Sequence, residues 1–281
     1  MRDRYANLAA TRALDPARDY EQIFRTMLRF EFPWDMRLSL NLAFNRSFSI
    51  PRVAETLVGT GELLERPRKR ADDTGILMYE IVLNGFADPR ARAAIRRINQ
   101  IHRPYRDFPA DDYLYVLACG VVLPLRWLDR YGWRRPCCHE REATYRFFGE
   151  LAGHMNVPGM PDSLSGTETW FEAYDQAHLQ PSDAARTIER STRERMLKRL
   201  PRPLAPLGNS LVSAMYDDRQ RTATGVPTPP WPVRAALHTT LKARSRVLRH
   251  LHRPRPTGLF EDGIQTKTYP DGYDIAELGP R

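Results

Sequence analysis

The chain has 281 residues, enough to bury a sizeable core, and with 42% hydrophobic and 10% aromatic residues it is too apolar to be disordered. A net charge of +9 raises the question of nucleic acid, yet only four of the 43 basic residues are lysines. The arginines are spread along the chain among 34 acids without a dense basic run, so nucleic-acid binding is not expected.

From the N-terminus, the Met-Arg-Asp-Arg start lacks the apolar core of a signal peptide. DYEQIFRTMLRFEF (19–32) sets Tyr20, Ile23, Phe24, Met27 and Leu28 on one helical face and ends at Pro33. A helix over 35–47 follows, and Ser49-Ile50-Pro51 opens the next with proline in its first turn. Helices are predicted over 73–84 and over 89–102, the latter opened by Asp88-Pro89. The longest apolar run, YLYVLACGVVLPLRWL (113–128), is interrupted by Pro124 and Arg126. It falls short of the ~20 residues a membrane span needs. It therefore reads as a buried core helix over 111–130, and no transmembrane segment is expected. Further helices are predicted over 140–153, 165–176, 183–199 (capped by Ser182), 204–217 and 232–251. The connections are short and proline-rich, such as VPGMP (157–161) and VPTPPWP (226–232), with no repeat and no long linker. The expectation is one all-α domain over 1–252, with 253–281 as an irregular arm packed on it, mobile unless docked.

Cys119 and the adjacent Cys137 and Cys138 form no disulfide framework and fit a reducing, cytoplasmic setting. His139 beside the cysteine pair suggests half a zinc site but lacks the spaced ligand pairs of a structural one. His154 falls in a turn, and His250 and His252 in an arginine-rich helix end. No G-x-S-x-G, P-loop or G-x-G-x-x-G motif supports a common hydrolase or nucleotide-binding class.

Two places carry more. His102 closes an apolar stripe of Ala91, Ala94, Ile95 and Ile98, and lies within about 20° of Ile95 on the helical wheel. It points inward, either as a core or C-terminal capping histidine or as an axial metal or haem ligand. Upstream, Arg70, Asp73, Thr74 and Leu77 fall at i, i+3, i+4 and i+7 and share one face beside apolar Ile76 and Ile81. Either Asp72 or Asp73 caps a helix with Arg70 paired to it, or these groups form a polar edge of a site.

The order of EFPWDMRLSLNLAFNRSF, VAETLVGTGE, RPRKRADDT, INQIHRPY, DDYLYVLACGVVLPLRWLDRYGWR and TYPDGYDIAELGP resembles that of one family. It is the family of ER-bound oxygenases typified by MpaB, the mycophenolic-acid pathway enzyme, with the bacterial rubber oxygenases (latex clearing proteins) as a more distant branch. The resemblance runs from about residue 20 to the end of the sequence given. It implies an all-helical fold with a globin-like core holding haem b, and selects His102 as the axial ligand. Arg70 and Thr74 match the arginine and threonine that line the opposite side of the haem in rubber oxygenases. Asp73 departs from that branch, which has lysine there. A glutamate acting as base is also implied; Glu55 and Glu62 are the candidates, with Glu55 the closer in spacing.

The resemblance thus implies a haem b-dependent oxygenase that uses O₂ to oxidise or cleave an apolar, unsaturated, terpenoid- or lipid-like substrate, with peripheral membrane contact open. Arg70 and Asp73 become candidates for positioning oxygen or substrate. Two rivals stand beside it: a haem protein with peroxidase-like, isomerase-like or no oxygenase activity, and a cofactor-free helical interaction protein. Neither the substrate nor the oligomeric state is legible.

Overall fold

A computed structural model of the chain describes residues 3–105, 107–197, 205–251 and 257–280. Among these residues the regular elements are all helical, fourteen of them α-helices, as the periodicity predicts. After α1 (Ala6–Arg12), α2 (Tyr20–Thr26) buries Ile23 and Phe24 and runs on as a π-helical turn over Met27–Glu31. The Phe32 amide donates back to the carbonyl of Met27 (2.8 Å), and the chain stops because Pro33 has no N–H to continue with. Pro33 instead opens α3 (Pro33–Ser47), where its fixed φ suits a first turn.

Pro51 and Pro67 open α4 (Pro51–Gly59) and α6 (Pro67–Asn84) in the same way, with the single-turn α5 (Glu62–Glu65) between them. Helix α6 begins six residues before the predicted start at 73. Asp72 and Asp73 therefore lie inside it, and neither caps it. Helix α7 (Pro89–His102) is capped by Asp88, whose side chain accepts from the Arg90 amide, and it packs back on α6.

Helix α8 (Ala110–Tyr131) is apolar and buried through its middle, from Leu114 to Leu125, packed by α3 on one side and by α9 (Cys138–His154) on another, with its charged residues at the two ends. Pro124 lies buried within it, and the helix continues through. Gly120 is where α9 comes closest: a Cβ there would stand 2.4 Å from Cε1 of Phe148. Phe148 in turn meets Phe24 edge-on, and Phe147 stacks on Phe24 with centroids 4.5 Å apart. These rings, with Met27, Leu28, Met36, Leu117 and Leu151, form the centre of one large core.

Buried ions brace the frame. Arg134 donates to Glu31 (2.8 Å) and Glu140 (2.7 Å), and Glu140 accepts the Cys137 amide (2.8 Å), which fixes the start of α9. Arg46 on α3 pairs twice with Asp175 of α10 (Leu164–His178), and Tyr115 of α8 donates to the same carboxylate (2.5 Å). Such groups are buried only because they are paired and hydrogen-bonded. Ser182 caps α11 (Asp183–Leu197) by accepting from the Ala185 amide (3.1 Å). Helix α11 covers α4, and α12 (Ala205–Met215), α13 (Asp218–Thr224) and α14 (Trp231–Leu251) complete the body.

The arm from 257 to 280 is irregular apart from a 3₁₀ turn over Ile275–Glu277, and it is docked along α6 and α7. Thr268 donates to Asp72 and Tyr273 to Glu80. Arg97 donates to the carbonyl of Leu278 (2.6 Å), whose side chain is wholly buried. The expected boundary at 252/253, His252 and the predicted helix ends at 199 and 204 lie outside the described residues.

Candidate functional site

Helices α2, α3, α4, α6, α7, α8 and α9 line a partly open cavity of about 340 Å³ with mostly apolar walls, among them Phe24, Leu40, Leu77, Val116, Leu117 and Leu151. That volume falls within the range of roughly 300–1,000 Å³ usual for small-molecule sites. The polar groups on its wall include Arg70 and Thr74 of α6, His102 at the end of α7, Glu62 of α5, and Asp112 and Tyr113 of α8.

His102 reaches the cavity because seven residues of helix return it to the face of Ile95 and Ile98, both buried. Its Nδ1 is buried and has no hydrogen-bond partner. Burial pushes its pKa down to about 4, and the positive charge of Arg70 acts in the same direction. The ring is therefore neutral at physiological pH, with the Tyr113 ring edge-on to it at 5.3 Å. A buried ring nitrogen without a protein partner calls for an explanation of its own.

Arg70 donates through Nη1 to the Thr74 hydroxyl, which itself donates to the Arg70 carbonyl (2.9 Å) one turn back. Burial lowers the Arg70 pKa, although Asp73 and Glu62 pull it the other way. The charge of this guanidinium is thus only partly compensated where it stands.

The face read from sequence divides in the structure. Arg70, Thr74 and Leu77 line the cavity with His102, whereas Asp73 is not among the lining residues. Only 1% exposed, Asp73 accepts from Lys69 Nζ (2.7 Å), the Tyr269 hydroxyl (2.6 Å) and the Gly279 amide (2.9 Å). It clasps the arm, and the arm's Pro280 is part of the cavity wall. Gly279 fits there because its φ is +100° and because a Cβ would meet Ile101 Cδ1 at 2.5 Å. Glu55 is exposed on α4 and lies outside the lining, while Glu62, three residues past the end of α4, lies within it, 9% exposed and paired with Arg66.

Pro280, Asp112 and Tyr113 were not foreseen as site residues. The only signal for the first was the aromatic- and glycine-rich TYPDGYDIAELGP itself. His139 Nδ1 donates to the Thr11 carbonyl (3.2 Å), His154 stacks on Phe86, and His250 is exposed. All three cysteines are free, and among the described residues no cluster of three or more histidine, cysteine, aspartate or glutamate side chains could hold a metal. Among the described residues no helix is long and apolar enough to cross a membrane.

The sequence model of the family described as "ER-bound oxygenase mpaB/B'/Rubber oxygenase, catalytic domain" matches residues 36–252. An ER-bound oxygenase mpaB' of Penicillium brevicompactum is 29% identical over 271 residues, covering 90% of this chain and 63% of that protein. An ER-bound oxygenase mpaB of Penicillium roqueforti (strain FM164) is 27% identical over 219 residues, covering 72% of this chain and 74% of the relative. A second protein from P. brevicompactum, ER-bound oxygenase mpaB, is 26% identical over 270 residues, covering 90% and 62%. The chain thus spans less than two thirds of the length of both P. brevicompactum relatives.

Proposed function

The chain belongs to the ER-bound oxygenase mpaB/B'/rubber oxygenase catalytic-domain family, and from that premise we propose that it is a haem b-dependent oxygenase, using O₂ to oxidise or cleave an apolar, unsaturated, terpenoid- or lipid-like substrate. The observation that carries the reading is His102: a neutral imidazole on the wall of an apolar cavity, with a buried ring nitrogen left unpaired. That donor fits haem iron, for which a histidine in an apolar pocket is a common axial ligand. On this reading the helices around the cavity are the globin-like haem-binding core.

When bound, haem supplies the redox chemistry on O₂. The chain supplies the setting. His102 holds the cofactor; the apolar walls exclude water and favour a substrate with little polar surface. Arg70, its guanidinium positioned by the Thr74 hydroxyl, offers fixed donors to a polar group entering the cavity. Of the two glutamates, Glu62 is the one at the cavity, from which it can take a proton once substrate approaches. Asp73 acts at one remove, holding the arm whose Pro280 closes the wall. The name "ER-bound" belongs to the relatives; for this chain the reading is a cytoplasmic protein with peripheral membrane contact.

The test is colour, then oxygen. Full-length protein produced with ample haem should show a Soret band that His102→Ala removes or strongly weakens. Incubated under ¹⁸O₂ with a panel of terpenoids and unsaturated lipids, it should place label in the product. A protein that stays colourless and refuses added haemin ends the haem reading, and product without label ends the oxygenase reading even if haem is bound.

A further inference from the structure

Among the described residues Arg70 is the one lysine or arginine lining the cavity. Arg70 is partly buried among apolar walls, where a guanidinium favours an anionic partner, and its five donors lie in a planar fork that suits a carboxylate. The acids around it are committed elsewhere. Glu62 pairs with Arg66. Asp73 is filled by Lys69, Tyr269 and the Gly279 amide. Asp112, also on the wall, takes the Tyr174 hydroxyl (2.5 Å) and Arg52 (3.2 Å). Among the described residues Arg70 is in no ion pair, and Thr74 is its one side-chain hydrogen-bond partner. Burial outweighs the pull of Asp73 and Glu62 on its pKa, which is the behaviour of a cation built in without its counter-ion.

We infer that Arg70 receives a carboxylate inside the cavity, and that the substrate class is an apolar unsaturated acid, held by its head at Arg70 and by its chain against walls such as Leu40, Leu77 and Leu117. As regards turnover the inference rests on the oxygenase reading; as regards binding it stands alone. The other carboxylate that the proposed function brings into the cavity is a haem propionate, so the experiment has to separate the two.

Equilibrium dialysis of the full chain, with and without added haemin, against oleate and against methyl oleate, each below its aggregation concentration and near neutral pH, compares an acid with its uncharged twin. The acid should bind at least about tenfold more tightly, the effect of hydrogen bonds to a charged group. Arg70→Met should weaken oleate by about tenfold to a hundredfold and methyl oleate by less than about threefold, while Arg70→Lys retains part of the preference. Equal binding of the two compounds by the unaltered protein overturns the inference without recourse to any variant. So does a preference for the acid that survives in Arg70→Met. If Arg70→Met instead weakens haemin binding and the unaltered protein shows no preference for the acid, the carboxylate is the cofactor's and the substrate assignment falls. Oxygen uptake measured with both compounds separates the two readings. Uptake with neither, despite tight binding of oleate, counts against the oxygenase; uptake with the ester as fast as with the acid counts against the carboxylate receptor alone.

Discussion

Replacing Asp73 with alanine should loosen the arm far more than it loosens the helical body. The carboxylate is 1% exposed and takes three donors, one of them the Lys69 ammonium, itself 18% exposed. Removing one member of a buried charged pair costs about 3–5 kcal/mol, and the lower end applies here because Lys69 keeps the Gly279 carbonyl (2.9 Å) as a partner. The orphaned groups regain water if the arm lifts away, so the loss is taken locally, as undocking, rather than as global unfolding. About 3 kcal/mol corresponds to roughly hundredfold faster exchange of the Gly279 and Leu278 amides when exchange is limited by the opening equilibrium. Asp73→Asn, whose amide oxygen can still accept, should give about a tenfold effect, and Tyr269→Phe a similar one. Hydrogen exchange read by mass spectrometry on a peptide covering 266–280, alongside urea unfolding, is the assay. Exchange in Asp73→Ala within about threefold of the unaltered protein would refute the clasp, as would a large loss of global stability with the arm still protected.

Gly120→Ala should lower stability by about 1–3 kcal/mol, because the new methyl would stand 2.4 Å from Phe148 Cε1; a second change, Phe148→Leu, should recover part of it in thermal melts. The His102 ring titrates at about 4 in the folded chain against 6.5 in the unfolded one, so protonation between those values favours unfolding. Haem-free protein should therefore be at full stability above about pH 6.5 and lose about 3 kcal/mol as the pH falls to 4, and denaturant titrations of His102→Gln should lack that component. Glu62→Gln should slow oxygen-dependent turnover by at least about tenfold while Glu55→Gln leaves it unchanged; the reverse ranking in an oxygen electrode would return the base role to Glu55.

The helices legible in the sequence were those with both a stripe and punctuation. Helix α7 is bracketed by Asp88-Pro89 and Pro104 and carries Ala91, Ala94, Ile95 and Ile98 on one face, so its bounds and the inward aim of His102 could both be read. Helix α6 has no such stripe in its first turns: PRKRADD is polar throughout, and only Pro67 announced that a helix had begun. That concealed start made a cap of Asp72 and Asp73 plausible, when both lie within the helix and bind the arm. Which glutamate meets the cavity turned on a break the periodicity does not carry, the left-handed Gly61 between α4 and α5 (φ +69°). Contacts from Asp73 to Tyr269 and Gly279 join positions some two hundred residues apart, and no local pattern encodes them.

The arm also sets an order of events during synthesis. Lys69 and Gly279, joined in the finished protein, are separated by 210 residues. At the usual ribosomal pace of about 5–20 residues per second, roughly 10–40 s pass between the emergence of the Arg70 helix and that of the segment bearing Pro280. Throughout that interval the helices around His102 can assemble while Pro280, the arm's part of the cavity wall, does not yet exist. A large planar cofactor, or a long apolar acid, would then meet a wider cleft on the nascent chain than in the finished protein, where Pro280 stands in the wall.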